Sequence, residues 1–293
     1  MSYILSQPNG NAVPGIGGRN LTTIQKSAPL EADALIFDVD GVLLDTEASF
    51  PRMIEIAVQT NWRELGGIAD CAGYSGGHNR VLKRHGAFND DYDIAWMLSN
   101  IAAARIGASN KLSDCLPSPA ELERLTASCA TDCVSWVESA FGTRFEHATT
   151  RARCEAIYLG GEDQPGTCML ERPLSSVHWR ELPLPVCIYT GRNLREWRQG
   201  QKILKWQGFP DERVVHFDTG MRKPAPDGLE YLCNTFGLQR PIFFGDTMSD
   251  KKAHVAFGKG LFAAIGDLMP QEEFCFASVN EALSQMIGWE QDD

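Results

Sequence analysis

The stretch of sequence that decides the fold is Ala34-Leu-Ile-Phe-Asp38-Val-Asp40-Gly-Val-Leu-Leu-Asp45. Four apolar residues before Asp38 are typical of a buried parallel strand, and Gly41 allows the chain to turn sharply at the carboxyl end of that strand. Ligands bind at this end of open α/β sheets. Two acids separated by one residue face opposite sides of a strand, so both can serve one site only if the strand stops there. One interpretation is therefore that Asp38 and Asp40 belong to one ligand site. The other is that they only cap a helix or lie in a solvated turn.

Two further apolar runs also lead into polar residues. The apolar run from residue 185 predicts a strand that ends at Thr190 and is followed by Gly191. A helix is predicted over residues 193–207. A hydroxyl beside free backbone amides at a helix start is a good ligand for phosphate oxygens. In residues 214–226 a short apolar run is followed by Lys223, and the prolines after it keep the chain out of a helix until about Asp227. Lys223 is therefore predicted to lie on a stiffened loop.

A fourth run, Pro241-Ile-Phe-Phe-Gly245, is followed by Asp246 and Asp250. Their spacing places both carboxylates on the same side of a helix start. Paired carboxylates in this position predict a metal site.

These four segments, in this order, resemble the motifs of the haloacid dehalogenase (HAD) superfamily of phosphohydrolases. The resemblance extends over about residues 33–265. It implies an α/β fold with a Rossmann-like parallel sheet core, a Mg²⁺ cofactor, and phosphoryl transfer through an aspartyl-phosphate. In this resemblance Asp38 is the nucleophile. Asp40 is the general acid and base, and its backbone carbonyl is also a metal ligand.

The other motif residues take their implied roles from the same resemblance. Thr190, Gly191 and Lys223 would bind the phosphoryl group. Asp246 would bind Mg²⁺ together with Asp38 and Asp40, and Asp250 would complete or support the metal shell.

The acid at position 40 reduces the number of reaction classes that the resemblance allows. Dehalogenases and phosphonate hydrolases of the superfamily lack an acid two residues after the nucleophile, whereas phosphatases and phosphomutases have one. We therefore expect a Mg²⁺-dependent phosphatase acting on a small phosphomonoester. The alternative is a phosphomutase of the β-phosphoglucomutase type, which uses the same residues. A non-catalytic binding protein would be expected to lack at least one motif residue, and none is missing.

The first two motifs are separated by far more chain than one crossover helix requires. The intervening residues have helical spacing of apolar residues, so we predict a helical cap over residues 47–174, inserted into a core formed by residues 31–46 and 175–293. Residues 1–30 are predicted to be a flexible extension. The predicted cap helices are residues 47–62, 79–85, 92–106, 119–141 and 146–159, with Ser118 as the N-cap of the fourth.

Three cap residues and one core residue have two interpretations each. The glycine-rich segment of residues 73–80 is typical of an interhelical turn, but Tyr74, His78 and Arg80 could instead contact the substrate. Arg192, beside Thr190, could reach the ligand or pair with a surface acid.

Composition excludes several classes of protein. The net charge of −11 argues against nucleic-acid binding, which depends on Lys and Arg contacts to phosphates. No apolar stretch approaches the roughly 20 residues of a membrane span, and the amino terminus lacks the features of a signal peptide. Nine cysteines, an odd number, indicate reduced thiols in a cytoplasmic protein. Cys129 and Cys133 have no partner pair at zinc-binding spacing.

Overall fold

The computed structural model describes residues 30–70, 74–107, 109–175 and 177–289. The extension predicted over residues 1–30 lies outside these residues, apart from Leu30. The strands of the described residues are β1 (Ala34–Phe37), β2 (Leu44–Asp45), β3 (Arg172–Pro173), β4 (Val186–Tyr189), β5 (Val214–Val215), β6 (Pro241–Gly245), β7 (Leu261–Ile265) and β8 (Cys275–Phe276).

A parallel sheet of six strands forms the core, in the order β5-β4-β1-β6-β7-β8. Strand β1 is central, with Ile36 opposite Cys187 on one side and Phe243 on the other. All four residues of β1 are buried, as expected for a strand covered on both faces. The predicted α/β fold with a Rossmann-like parallel sheet is confirmed.

Helices cover both faces of the sheet and fill the long insertion. The helices of the described residues are α1 (Phe50–Glu64), α2 (Gly76–Lys83), α3 (Asp91–Ala103), α4 (Leu112–Cys115), α5 (Pro119–Thr126), α6 (Cys133–Ala140), α7 (His147–Leu159), α8 (Leu194–Ile203), α9 (Asp227–Phe236), α10 (Met248–Phe257) and α11 (Val279–Ile287). None of these helices combines the length and the apolar character needed to cross a membrane.

The inserted helices α1 to α7 have an apolar core of their own. Its buried members all fall between Phe50 and Cys168, and Trp62, Trp96 and Tyr158 are among the largest. Two other apolar clusters pack against the faces of the sheet, one containing Phe37 and the other containing Ile36. The predicted helical cap on an α/β core is therefore present.

The sequence prediction of one helix over residues 119–141 is wrong, because α5 and α6 are separate helices. Ser118 does cap the first, as predicted, and its hydroxyl accepts a hydrogen bond from the N–H of Glu121. The Asp132 side chain accepts the N–H of Ser135 and starts a second helix. Both helices bury apolar residues in the same cluster, which explains why the apolar spacing looks continuous.

Both chain connections between the sheet and the inserted helices pass through one short ribbon. Strands β2 and β3 are antiparallel, with Leu44 opposite Pro173 and Asp45 opposite Arg172. Helix α1 begins shortly after β2. The ribbon therefore brings both ends of the insertion together, a few residues after the carboxyl end of β1.

Candidate active site

Asp38 and Asp40 follow β1 where the strand ends, as the sequence predicts. The chain then turns at Gly41, which has a φ of 71°. A Cβ atom at this position would lie 2.0 Å from Oδ2 of Asp246, well inside the contact distance. Glycine at position 41 therefore permits both the left-handed backbone and the close approach of the Asp246 carboxylate.

Lys223 links two of the predicted carboxylates. Its Nζ lies 2.8 Å from Oδ1 of Asp38 and 2.6 Å from Oδ1 of Asp250. The N–H of Val39 also donates to Oδ1 of Asp38, at 2.7 Å. Burial alone lowers the pKa of Lys223, but the two adjacent carboxylates outweigh burial and raise it, so the lysine is held as a cation.

Asp38, Asp246 and Asp250 form a group whose carboxylate oxygens come within 4.8 Å of one another. Within the described part of the chain, Oδ1 of Asp246 is buried and has no hydrogen-bond partner. Asp250 is differently engaged, because its Oδ2 accepts the N–H and the hydroxyl of Thr247 while its Oδ1 faces Lys223. This arrangement favours Asp246 and Asp38 as direct ligands of a cation and Asp250 as their support.

The charge balance of this group also fits a hard divalent cation. Burial raises the pKa of Asp38 to about 7; Lys223 opposes this rise, and Asp250 and Asp40 add to it. Burial and the same neighbouring carboxylates raise the pKa of Asp246 well above its usual value. One lysine does not neutralise the three acids of this group, and an all-oxygen donor set suits a hard divalent cation.

Thr190 and Gly191 lie at the carboxyl end of β4, which is the neighbour of β1. The Thr190 hydroxyl oxygen accepts the backbone N–H of Arg192 at 3.2 Å and keeps its own hydrogen for donation. Thr190 is buried and lines a cleft of about 500 Å³ between cap and core, and Gly191 lines both this cleft and the main cavity. The structure therefore brings these residues to the same sheet edge as Asp38.

The main cavity has a volume of about 700 Å³ and lies between the cap and the carboxyl edge of the sheet. Its lining includes Asp38, Asp40, Lys223 and Asp246. Helix α2 supplies one stripe of the cap side of the lining: Gly76, Gly77, Asn79, Arg80 and Lys83.

The three cap residues singled out from the sequence have different positions. Arg80 lines the cavity, and its Nη2 lies 2.6 Å from Oδ2 of Asp267 on the core. His78 is buried, with one ring nitrogen at the Ser75 N-cap and the other at the carbonyl of Pro117. The Tyr74 hydroxyl donates to Asn79, and neither Tyr74 nor His78 lines the cavity.

Lys83 is a cavity residue that the sequence analysis did not identify. Its Nζ lies 3.2 Å from Oδ2 of Asp91. Burial lowers its pKa, but Asp91, Asp246 and Asp40 outweigh burial and raise it. The sequence does contain a pattern that could have identified Lys83. Positions 76, 79, 80 and 83 have helical spacing and therefore share one face of α2.

The cap contacts the core directly beside the cavity. The hydroxyl of Tyr92, on α3, donates to the carboxylate of Glu196, on α8, and both side chains are buried. Burial raises the pKa of Glu196 to about 7. Arg192, for which the sequence left two interpretations, pairs with acids that are not surface acids, namely Asp40 and the buried Glu171.

Comparisons with known proteins identify the family of the chain. The family model for haloacid dehalogenase-like hydrolases matches residues 32–258. The chain belongs to the haloacid dehalogenase-like hydrolase family. The match spans all four motif segments and the inserted helices of this HAD-like hydrolase. No curated protein matches the chain significantly.

Several solved structures are similar to this HAD-like hydrolase over most of its length, at low sequence identity. Phosphatase Tt82 from Thermococcus thioreducens has a TM-score of 0.61 and 22% identity, covering 87% of this chain and 99% of its own. A putative haloacid dehalogenase-like hydrolase from Bacteroides fragilis has a TM-score of 0.50 and 12% identity, covering 85% and 98%. A putative β-phosphoglucomutase from Thermotoga maritima has a TM-score of 0.47 and 14% identity, covering 86% and 97%.

Proposed function

We propose that this HAD-like hydrolase is a Mg²⁺-dependent phosphatase that hydrolyses a small phosphomonoester through an aspartyl-phosphate on Asp38. The observation that carries the proposal is the meeting of Asp38, Lys223 and Asp246 at the sheet edge of one cavity. A carboxylate nucleophile, a fixed cation and a cation-binding acid are the groups that attack on a phosphoryl centre requires.

Asp38 is suited to the nucleophilic role by its hydrogen bonds. The Val39 N–H and the Lys223 ammonium both address Oδ1, which fixes the carboxylate and leaves Oδ2 to attack phosphorus. The attack would form the Oδ2–P bond and break the bond from phosphorus to the leaving-group oxygen. Lys223 would bind a phosphoryl oxygen and reduce the repulsion between the dianionic ester and the carboxylate.

Asp40 would act as general acid and then as general base. It would donate a proton to the leaving alcohol, and it would later take a proton from the water that hydrolyses the acyl phosphate. Its carboxylate lies on the cavity lining and is 30% exposed, so it can meet both groups. Proton transfer of this kind accounts for roughly 10²- to 10⁴-fold of a rate.

The site would hold Mg²⁺ through the Asp38 and Asp246 carboxylates and the Asp40 carbonyl, with Asp250 supporting them. When bound, Mg²⁺ supplies neutralisation of the phosphoryl oxygens. Thr190 and Gly191 would add hydrogen-bond donors to the same oxygens.

The substrate would be a compact phosphorylated metabolite. The cavity of about 700 Å³ is within the range of small-molecule sites. We propose that residues 47–174 act as the cap that covers it and that residues 31–46 and 175–293 form the catalytic core. We also propose a cytoplasmic location, which is supported by the eight described cysteines, all of them unpaired.

The test is phosphate release across a panel of phosphomonoesters, with Mg²⁺ and with EDTA. Asp38→Asn controls for contaminating phosphatases, and Asp211→Asn, at an exposed position away from the cavity, is the matched control. We expect Mg²⁺-dependent release that is lost only in Asp38→Asn. Release that requires an added sugar bisphosphate would indicate a phosphomutase. No turnover with any ester, with binding retained, would indicate a binding protein.

A further inference from the structure

Arg192 is a fully buried cation in contact with the proposed general acid. Its Nε and Nη2 both donate to Oδ1 of Asp40, at 2.9 and 2.7 Å. Nη2 also donates to Oε2 of Glu171 at 2.9 Å, and Nη1 donates to the Tyr158 hydroxyl at 3.1 Å and to the Glu196 carbonyl at 3.2 Å. All three guanidinium nitrogens therefore donate hydrogen bonds, and these bonds hold the Arg192 side chain in one conformation.

The surroundings of Arg192 are shaped for a planar guanidinium. Gly200 lies against it, since a Cβ at that position would be 3.2 Å from Nη1. The Phe50 ring lies 5.7 Å from the guanidinium carbon, within the range of a cation–π contact. A lysine at position 192 could not make this set of bonds, because an ammonium is a point donor and not a fork.

Glu171 connects Arg192 to both ends of the insertion. Its Oε1 accepts the Tyr158 hydroxyl at 2.7 Å and the Ser49 hydroxyl at 3.0 Å. Ser49 is the N-cap of α1, just after β2, and Glu171 immediately precedes β3. The two connections that carry the cap are therefore tied through one carboxylate to the arginine that holds Asp40.

We propose that Arg192 is a positioning residue that fixes the Asp40 carboxylate for proton transfer and, through Glu171, ties that position to the two connections of the cap. The inference rests on the proposed phosphatase function. Both bonds from Arg192 fall on Oδ1 of Asp40, so Oδ2 is the oxygen left to give the leaving alcohol its proton. Correct geometry at this atom matters because a displacement of about 1 Å in a reacting group can cost roughly 10²-fold in rate.

The test compares leaving groups in the Arg192→Lys variant. An alkyl phosphate needs a proton on its leaving oxygen, whereas p-nitrophenyl phosphate leaves as a stable phenolate and needs little help. We expect kcat/KM, which reports the steps up to departure of the leaving group and not the later hydrolysis common to both esters, to fall by at least about ten-fold on the best alkyl ester of the panel and by less than about three-fold on p-nitrophenyl phosphate. A merely structural fault would lower both rates by the same factor.

Two further variants keep the test decisive. Arg192 is buried, so its replacement also reduces stability, and thermal unfolding of each variant is measured beside its kinetics. Glu171→Gln removes the negative charge beside Nη2 and keeps the arginine. We expect the same leaving-group selectivity with a smaller loss. Arg195→Lys is the matched control, because Arg195 lies three residues further along the chain, in the first turn of α8, and pairs with Glu155 of the cap at an exposed position. We expect its kinetics to match the wild type.

The outcomes separate this inference from the function on which it rests. If the wild type releases no phosphate, the proposed function fails. If the wild type is active and Arg192→Lys and Glu171→Gln lose kcat/KM equally on both esters, or lose none, the positioning role is overturned. A loss confined to the alkyl ester, with folding retained in at least one variant, supports it.

Discussion

The Nζ of Lys223 lies 2.8 Å from Oδ1 of Asp38, and both side chains are almost completely buried. Removing one partner of such a pair leaves an uncompensated charge in the interior. We expect Lys223→Ala to lower the free energy of unfolding by about 3 kcal/mol at pH 8. The loss should be smaller at pH 5, where the carboxylates left behind take up protons. Urea unfolding at the two pH values measures this.

The control for Lys223→Ala is Lys202→Ala, at an exposed position of α8. We expect its effect to stay within about 0.5 kcal/mol at both pH values. An equal loss at pH 5 and pH 8 in Lys223→Ala would show that the lysine contributes packing and not charge.

Asp246 provides a test of the metal site by stability. Because burial and neighbouring carboxylates raise its pKa, the folded protein without metal binds protons that the unfolded chain has lost, and stability falls as the pH rises from about 4. We expect Asp246→Asn to be more stable than the wild type in EDTA at pH 8 and to gain nothing from Mg²⁺. The wild type should gain about 2.7 kcal/mol at a Mg²⁺ concentration 100 times its Kd. Thermal unfolding with EDTA and with Mg²⁺ measures both effects. Equal stability of the wild type with and without Mg²⁺ would contradict the metal assignment.

Gly41 tests the close packing between the β1 turn and Asp246. Gly41→Ala adds strain at a φ of 71° and a clash with Oδ2 of Asp246, so we expect loss of stability and of phosphatase activity. Gly237→Ala is the matched control, because Gly237 has a φ of 68° and its Cβ would meet no atom within 4 Å. We expect the control to lose about 1 kcal/mol of stability and no activity. Similar activities in the two variants would show that the contact with Asp246 is unimportant.

Glu196 gives a pH prediction that is independent of the metal site. Its pKa is raised to about 7, so the folded state favours the protonated acid, and wild-type stability is lost as the pH rises from about 4.5 to about 7. Glu196→Gln removes this titration. Relative to the wild type, we expect the variant to become more stable by roughly 2 kcal/mol between pH 5 and pH 8. Urea unfolding at pH 5, 6, 7 and 8 measures the change, and a constant difference would contradict it.

The sequence predicts the sheet and the motif positions because each depends on local pattern. The run before Asp38 is buried β1, and the prolines after Lys223 keep the chain out of α9 until Asp227. The parallel sheet then brings the ends of separate strands to one edge.

Contacts between distant elements could not be predicted in this way. No local signal pairs Arg192 with Glu171, or Tyr92 with Glu196, since each pair forms only when the cap meets the core. The apolar spacing of the sequence also does not reveal the break between α5 and α6, because both helices bury apolar residues in one cluster. Lys83 had a signal in its helical spacing, but only the structure shows that this face of α2 covers the cavity.

The most direct test of the account is to locate the covalent phosphate. The enzyme is mixed with its best ester and Mg²⁺, quenched in acid within milliseconds and reduced with borohydride, which converts an aspartyl-phosphate to homoserine. Peptide mass spectrometry then identifies the modified residue. We expect homoserine at position 38, absent without ester and absent in Asp38→Asn. Phosphate release with no homoserine at position 38, or with homoserine at another aspartate, would contradict the account.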